Sequence, residues 1–301
     1  MSGGTVSATS RTSPRRFRHF AAIDWSGAVG ERQRGIAVAL VSGAGEAPQL
    51  VRPGHIWSRA EVLHWLLTDL PTDTLVGMDL GAALPFHDQG AYFPGWAESP
   101  ADARALWALV DRIAADEPHL AANRFVDHPE VARHLRRPGG RAGDLFPPGR
   151  GRLRVTEEHQ RAAGLSPVSN LNLVGAAQVG KASLTGMRVL HRLSGHLSVW
   201  PMDQLPAPGS VMVEIYTTLA ARAAGIQPGR SKLRDAVALD AALAALGSPA
   251  HSPLARLDDH QADALLAAVW LSIVGNDANL WSPPALTPML AITEGWTFGI
   301  V

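Results

Sequence analysis

The stretch FAAIDWSG, residues 20–27, decides the fold. Its apolar run is typical of a β-strand that is buried on both faces, because such a strand has no side that must be polar. The run ends at Asp24, and a carboxylate there is costly to bury unless a cation or a hydrogen-bond donor meets it. Two further stretches repeat the pattern, since LVGMDLG carries Asp79 and VMVEIYT carries Glu214. One acid at a strand end is usually a turn or cap residue, but three such strands predict a shared acidic site.

The order of the predicted elements indicates a partly parallel sheet. Three short apolar runs come first, then a helix that begins with a capping box at Ser58 and Glu61, and then the strand TLVGMDL. A helix that crosses between two strands of one sheet joins them in parallel. From residue 81 to about 208 the pattern changes to helices and loops, which we interpret as an insertion, and the sheet resumes with the strand patterns HLSVWP and VMVEIYT. Residues 1–18, rich in Ser, Thr and Arg, are expected to form a disordered tail before a single domain, 19–301.

Composition excludes several classes of protein. The chain of 301 residues is 46% hydrophobic and 18% charged with a formal net charge of zero, so we expect a sizeable core and no basic field over the whole protein. There is no cysteine, which excludes disulfides, thiolate metal sites and cysteine nucleophiles. The longest apolar run is shorter than the about 20 residues that a membrane span needs. We therefore expect a protein of the cytoplasm.

The stretch LDDHQADALLAAVWLSIVG, residues 257–275, predicts a long helix that carries more acids. Asp258 begins a capping box, whereas Asp259, His260 and Asp263 lie three or four residues apart and share one face. Capping and the helix dipole explain Asp258 and Asp259, but they do not explain Asp263, which lies among Ala and Leu. Oxygen ligands suit a hard cation such as Mg²⁺, and two ions roughly 3.5–4 Å apart clamp the reacting oxygens of a phosphodiester. This helix is therefore a candidate source of metal ligands or of an acid–base pair.

Two basic features have weaker functional interpretations. The range Arg133–Arg154 contains seven arginines and a single acid, Asp144. Such a run is usually a solvated loop, and contact with phosphate is the alternative. Residues 175–181 match the first part of a phosphate-binding loop, G-x-x-x-x-G-K. Because Ala182 follows where Ser or Thr would hold Mg²⁺, close packing of helices is the favoured interpretation of this segment.

Together these segments resemble the ribonuclease H-like superfamily. Within it, Asp24, Asp79 and the late helix segment HQADAL are most similar to RuvC-type junction resolvases, some of which use a His-x-x-Asp pair in this helix. More closely, the chain resembles an uncharacterised family, domain of unknown function 429, whose members are described as predicted nucleases. The matching motifs are AAIDWSG, VGMDLG, VGAAQVGKASLTGM, VEIY, DDHQADALLAA and EGWTFG, in this order over nearly the whole chain after the tail. The family's glutamate usually begins a segment like EVYP, whereas here Thr217 and Thr218 replace its expected continuation.

The resemblance implies a ribonuclease H-like α/β fold: a mixed five-stranded sheet flanked by helices, with a large helical insertion, 81–208, after the fourth strand. In this fold the first and fourth strands are central neighbours. The implied function is that of a metal-dependent nuclease, an enzyme with a two-metal carboxylate site that uses Mg²⁺ or Mn²⁺. The candidate metal ligands are Asp24, Asp79, Glu214, Asp259 and Asp263, and the candidate catalytic residues are Asp24, Asp79, Asp263 and His260. His260 would bind metal or activate water.

Nucleic acid, DNA or RNA, is the expected partner, and the range Arg133–Arg154 is its candidate contact. The neutral net charge also leaves small nucleotides open as substrates. Two alternatives remain. The first is a phosphotransferase or ATPase of the related actin-like fold, in which Asp-x-Ser-Gly after the first strand meets a nucleotide phosphate. The second is a binding protein without catalysis, whose acids are structural.

Overall fold

The computed structural model describes residues 16–43, 45–175, 179–227 and 233–301, and within them the chain is an α/β protein with one mixed sheet of six strands. The strands of this sheet are β1 (His19–Asp24), β2 (Ala37–Val41), β3 (Gln49–Leu50), β4 (Thr74–Asp79), β7 (Ser198–Trp200) and β8 (Val211–Ile215), and a separate hairpin pairs β5 (Arg136–Arg137) with β6 (Arg141–Ala142). The helices are α1 (Arg59–Thr68), α2 (Ala103–Ile113), α3 (Asn123–Val126), α4 (Pro129–Ala132), α5 (Val155–Ala162), α6 (Val179–Arg192), α7 (Thr217–Ala223), α8 (Ala236–Ala245), α9 (Asp259–Val274), α10 (Ala278–Trp281) and α11 (Pro288–Thr293), with a 3-10 helix at Pro118–Leu120.

The strand order is β3-β2-β1-β4-β8-β7. β1, β2 and β3 form an antiparallel meander, whereas β1, β4, β8 and β7 run parallel to one another. The helix α1 makes the crossover to β4, so the predicted partly parallel sheet is confirmed, as is the central pairing of the first and fourth strands. The expectation of five strands is wrong by one. β7 lies inside the predicted insertion, yet Val199 and Trp200 are buried and their backbone extends the sheet beside β8.

Side chains of alternate strand residues fill two cores, one on each face of the sheet. Phe20, Ala22 and Leu75 point to the face that α9 covers, and Ile23 and Met78 point to the opposite face, which the helices of the insertion cover. This two-sided burial explains why the central strands are apolar throughout, as predicted from the first stretch.

Gly77 of β4 permits the close approach of α9 to the sheet. A Cβ atom at this position would lie 2.7 Å from Cδ1 of Leu271 in α9 and 2.8 Å from a methyl carbon of Ile215 in β8. A side chain at this position would therefore have to displace the methyl groups of Leu271 and Ile215 that fill the space between α9 and the sheet. Since α9 also carries His260 and Asp263, the packing at Gly77 fixes the depth at which these side chains meet the strand ends.

The predicted insertion is mainly helical, but it is shorter than expected because β7 belongs to the sheet. It extends from the end of β4 to residue 197 and contains α2 to α6 together with the β5–β6 hairpin. At the start of the chain, residues 1–15 of the expected tail lie outside the described residues. Phe17 falls within that expected tail, yet it is buried and stacks on Trp281 with ring centroids 5.7 Å apart, so the folded part begins earlier than residue 19. Within the described ranges we find no helix with the length and apolar character needed to cross a membrane.

Candidate functional site

Asp24 and Asp79 end the two central parallel strands side by side. Ile23 of β1 pairs with Met78 of β4, so the next residue of each strand emerges at the same edge and on the same face of the sheet. This is the face that α9 covers. Asp24 is only 8% exposed, and Asp79 lies deep in a cleft but keeps contact with solvent through the cavity that the cleft encloses. The predicted juxtaposition of these two carboxylates is therefore present.

His260 meets Asp24 from the first turn of α9. The helix begins with the predicted capping box, in which the Gln261 N–H donates to Asp258 at 2.9 Å and the Asp258 N–H donates to Gln261 at 3.1 Å. Nδ1 of His260 lies 2.8 Å from Oδ2 of Asp24. The hydrogen bond to Asp24 raises the pKa of His260 from 6.5 to about 9, against the opposing effect of burial. In the absence of another cation, a protonated His260 is thus the counter-charge of Asp24 at neutral pH.

The acids at this edge repel one another. Burial raises the pKa of Asp79 well above 3.8, and the charges of Asp24, Asp263 and Glu214 raise it further. The Thr217 hydroxyl, which donates to Oδ2 of Asp79 at 3.1 Å, opposes this effect. Asp263 follows His260 by three residues and lies on the same face of α9, and its charge contributes to the raised pKa of Asp79. Several carboxylates in one poorly solvated place are an electrostatic cost that a divalent cation relieves.

The charges of Asp24 and Asp259 also repel each other. Burial raises the pKa of Asp24, the hydrogen bond from His260 lowers it, and the charge of Asp259 raises it again. Asp259 also contacts Arg234, with 3.4 Å between Oδ2 and Nη2. The carboxylate of Asp259 therefore contributes to the negative field at Asp24 while it also contacts a surface arginine. That Asp259 is a metal ligand stays a prediction.

Glu214 does not join the other acids as an open carboxylate. It pairs in register with Met78, one residue before Asp79, so its side chain points to the opposite face of the sheet. There Oε1 accepts from Arg154 Nη2 at 2.7 Å and from the Thr297 hydroxyl at 2.5 Å, while Oε2 accepts from Arg154 Nη1 at 2.8 Å and from the Ala82 N–H at 2.7 Å. Both oxygens are fully engaged, so we remove Glu214 from the expected metal ligands.

Arg154 is the central residue of a buried ionic cluster that sequence reasoning missed. Its guanidinium bonds both oxygens of Glu214, and Nε donates to Glu157 Oε1 at 3.0 Å. Burial raises the pKa of Glu157 to about 7, although the charge of Arg154 opposes this shift. In this cluster one guanidinium therefore binds two carboxyl groups, those of Glu157 and Glu214. The pairing keeps the net charge close to zero on this face of the sheet, opposite α9.

The candidate site encloses a cavity of about 500 Å³ at the carboxyl ends of β1, β4 and β8. Asp79, Glu157 and Asn170 contribute to its wall. Asn170 is 1% exposed and donates to the Ala83 carbonyl at 2.9 Å, whereas its Oδ1 has no hydrogen-bond partner among the described residues. A buried polar atom without a partner is uncommon in folded proteins, and a ligand in this cavity is one way to supply it.

The arginine run divides into structural and exposed members. Arg152 is buried and pairs with Asp88 at 2.7 Å, and Arg154 belongs to the ionic cluster described above. Arg133 and Arg137 each form an ion pair with an acid of the same region. The arginines of the run that are exposed and lack an ion pair among the described residues are Arg136, Arg141 and Arg150. The surface open to an external phosphate is therefore smaller than the sequence suggested.

The segment that resembles a phosphate-binding loop lies partly outside the described residues, at 176–178. The described part shows the close packing that was the favoured interpretation. A Cβ atom at Gly180 would lie 2.4 Å from the Asn170 carbonyl oxygen, and one at Gly27 would lie 2.4 Å from the backbone of Lys181 and Ala182. The connection after β1 and the first turn of α6 are thus in direct backbone contact beside the cavity.

No protein-family model, curated protein or solved structure matches this chain. In the described part of the chain, no set of three or more His, Cys, Asp or Glu side chains has the arrangement of a ready metal cage. The site is therefore defined by its own geometry, namely two strand-end aspartates, the His260 and Asp263 side chains of α9, and a cavity beside them.

Proposed function

We propose that this protein is a metal-dependent hydrolase of phosphodiester bonds with a ribonuclease H-like fold, in line with its resemblance to the family of predicted nucleases. The observation that carries the proposal is that Asp24 and Asp79 end the two central parallel strands side by side, with His260 of α9 hydrogen-bonded to Asp24. Burial and the charges of neighbouring acids raise the pKa of Asp24 and of Asp79. The resulting negative field favours the binding of a divalent cation.

The donor set fits Mg²⁺ or Mn²⁺ in its chemistry. Mg²⁺ takes oxygen ligands, keeps several waters, and is often held by one or two protein carboxylates together with substrate phosphate oxygens. Asp24 and Asp79 meet this requirement without a complete cage of protein ligands. Oδ2 of Asp24 already accepts a hydrogen bond from His260, and Oδ2 of Asp79 accepts one from Thr217. Both side chains keep a second oxygen, which supports their assignment as the ligands.

The remaining residues have roles that follow from their positions. A bound divalent cation supplies a Lewis acid and lowers the pKa of bound water. His260, whose Nδ1 lies 2.8 Å from Asp24, is positioned to bind metal or to move a proton at the reacting oxygens, either from the attacking water or to the departing oxygen. Asp263 adds charge that holds the cation near Asp79. Oδ1 of Asn170 accepts a hydrogen bond from the substrate within the cavity.

The test is cleavage of fluorogenic oligonucleotides, DNA and RNA, with Mg²⁺ or Mn²⁺ and with excess EDTA. Asp24→Asn should abolish cleavage, because it removes a ligand charge with little change of shape. Asp263→Ala should reduce the rate more than the matched control Asp259→Ala, because capping and Arg234 already account for part of the environment of Asp259. His260→Ala should lower the rate and alter its pH dependence, because histidine is the titratable group beside Asp24.

The outcomes separate the proposal from its alternatives. Equal rates for Asp24→Asn and the wild type would contradict it. Hydrolysis or transfer of an ATP phosphate without cleavage of oligonucleotides would favour the actin-like alternative. A melting temperature that neither Mg²⁺ nor Mn²⁺ changes would favour a binding protein with structural acids, because a ligand of the native state must stabilise it.

A further inference from the structure

A second cavity, of about 320 Å³, adjoins the candidate site. Gly27 and Ala28, in the connection after β1, border both cavities. In the first turn of α6, Ala182 borders the first cavity and Lys181 borders the second. The backbone contact between Gly27 and α6 therefore forms the ridge between them, and a chain-like ligand that crosses this ridge reaches from the strand-end acids into the second cavity.

Arg59 places a buried positive charge in the wall of this second cavity. It is 1% exposed and donates to the backbone carbonyls of Ser26, at 3.1 Å, and of His119, at 2.8 Å, as well as to that of Ala28. Among the described residues no carboxylate pairs with it. Burial and the nearby charge of Arg188 lower its pKa to about 10, so it stays charged at neutral pH. A buried guanidinium whose partners are all neutral leaves a positive potential in the adjoining cavity.

Two further cations on the wall are available to a ligand. Lys181 is half-buried, and within the described ranges its ammonium group forms neither a hydrogen bond nor an ion pair. Arg141 is exposed, and in the described part of the chain its guanidinium donates one hydrogen bond, from Nε to the Pro138 carbonyl at 3.1 Å.

The acids of the same wall, Glu117 and Asp127, cancel only part of these charges. Asp127 forms an ion pair with Arg137 at 3.0 Å. Glu117 accepts from the Asn123 side chain at 2.7 Å and from the backbone N–H of Arg124. Because its donors are neutral, Glu117 keeps its negative charge; among the described residues the wall therefore carries four cations, Arg59, Arg137, Arg141 and Lys181, against two acids, Glu117 and Asp127, and is positive overall.

We propose that the second cavity binds a phosphate group of the substrate adjacent to the one that is hydrolysed, with Lys181 and Arg141 in contact with its oxygens. This assignment rests on the proposed function. It names the substrate class as a molecule with at least two phosphates, either a polynucleotide or a nucleoside polyphosphate. The apolar part of the wall, which includes Val126, Leu173 and Leu184, covers the nucleoside attached to this phosphate.

The test measures binding in EDTA, so that it does not depend on catalysis. The probes are a short fluorescein-labelled oligothymidylate and, as a competitor, ADP. Each phosphate contact on a single strand adds about 0.7 to the steepness with which log K falls against the logarithm of the salt concentration. At about 0.1 M salt this corresponds to about fivefold in affinity. Lys181→Ala and Arg141→Ala should each weaken oligothymidylate binding about fivefold, and the double variant should weaken it about 25-fold with a salt slope smaller by about 1.4.

The matched controls are Arg222→Ala and Arg256→Ala, since both arginines are exposed, neither borders either cavity, and neither belongs to the run Arg133–Arg154. Both should bind the probe like the wild type. Loss of oligothymidylate binding alone in the double variant identifies the polynucleotide as the source of the phosphate, and a parallel loss of ADP competition identifies the nucleotide. Wild-type affinity in the folded double variant, or no binding of either probe by the wild type, would overturn the assignment.

The result also separates the assignment from the proposed function. Asp24→Asn should lose cleavage in Mg²⁺ but keep its affinity for the probe in EDTA, because Asp24 does not border the second cavity. If the double variant bound normally while Asp24→Asn lost cleavage, the hydrolase proposal would stand and the phosphate assignment alone would fail.

Discussion

Replacing Asp79 by Asn should stabilise the metal-free protein. The pKa of Asp79 is raised well above 3.8, first by burial and then by the charges of Asp24 and Asp263. Because this pKa is higher in the folded chain than in the unfolded chain, the ionised carboxylate opposes folding. The loss of free energy of unfolding is absent below about pH 3.8 and increases as the pH rises towards the folded-state pKa. Its full size is about 1.4 kcal/mol for each unit by which the pKa in the folded chain exceeds that in the unfolded chain. Asn keeps an acceptor for the Thr217 hydroxyl and carries no charge, so the variant should be more stable than the wild type at pH 8 but not at pH 4.

The same substitution should remove stabilisation by metal. At a free concentration of one hundred times Kd, a ligand of the native state adds about 2.7 kcal/mol to the free energy of unfolding. The entropy of unfolding is about 2.1 cal/mol/K per residue, which for this chain of 301 residues is about 0.6 kcal/mol/K. The wild type should therefore melt about 4 °C higher in saturating Mg²⁺ or Mn²⁺ than in EDTA. The Asp79→Asn variant should show almost none of this increase.

Differential scanning calorimetry in EDTA, Mg²⁺ and Mn²⁺ measures both effects. Asp259→Asn is the matched control, since it removes an acid of the same edge that contacts Arg234, and it should keep most of the metal-dependent increase. Two results would refute the reasoning. One is a wild-type melting temperature that metal does not change, and the other is an Asp79→Asn variant that responds to metal like the wild type.

Three further predictions follow from the same contacts. Glu214→Gln leaves Arg154 without its main partner, so urea denaturation should show a loss of about 3 kcal/mol with or without metal, and an unchanged stability would contradict a structural role. Gly77→Ala places a Cβ atom 2.7 Å from a leucine of α9 and should cost about 1–3 kcal/mol in the same assay, whereas no loss would mean that α9 does not pack so closely. In the metal-free protein His260 should titrate near pH 9 by NMR, and Asp24→Asn should return its pKa towards 6.5. The contribution of the Asp24–His260 pair to the free energy of unfolding should be full below pH 6.5 and should be lost as the pH rises through about 9. A wild-type pKa near 6.5 would exclude the pair.

The strand pattern and the α9 motif predict the acidic edge because both depend on local periodicity. Apolar runs that end in an acid identified β1 and β4, and the helix crossover implied that they run parallel, which brings Asp24 and Asp79 together. The spacing of His260 and Asp263 placed both on one face of a helix that had to meet the sheet. Each of these inferences needed only the sequence within one element and the handedness of one connection.

The role of Glu214 could not be predicted in this way because it depends on register. Glu214 is aligned with Met78 and not with Asp79, and this offset of one residue turns its side chain to the opposite face. Arg154, its partner, lies 60 residues earlier in a loop with other arginines, and no local pattern distinguishes it from its neighbours. The only signal was the setting of Glu214 itself, since an acid in the middle of VMVEI requires a buried cation.

The contrast between the two faces of this edge argues against the view that all its acids are structural. Glu214 shows how this protein accommodates a structural acid: its two oxygens accept from a guanidinium, a hydroxyl and a backbone N–H. On the other face, Asp79 accepts within the described residues from a single hydroxyl, and burial and neighbouring acids raise its pKa. Among the residues that the structure describes, the cation paired with Asp24 is His260, whose side chain is 44% exposed and titratable. If Asp79 served only stability, an amide at its position would serve the fold better, so its charge is better explained by a cation that binds there during function.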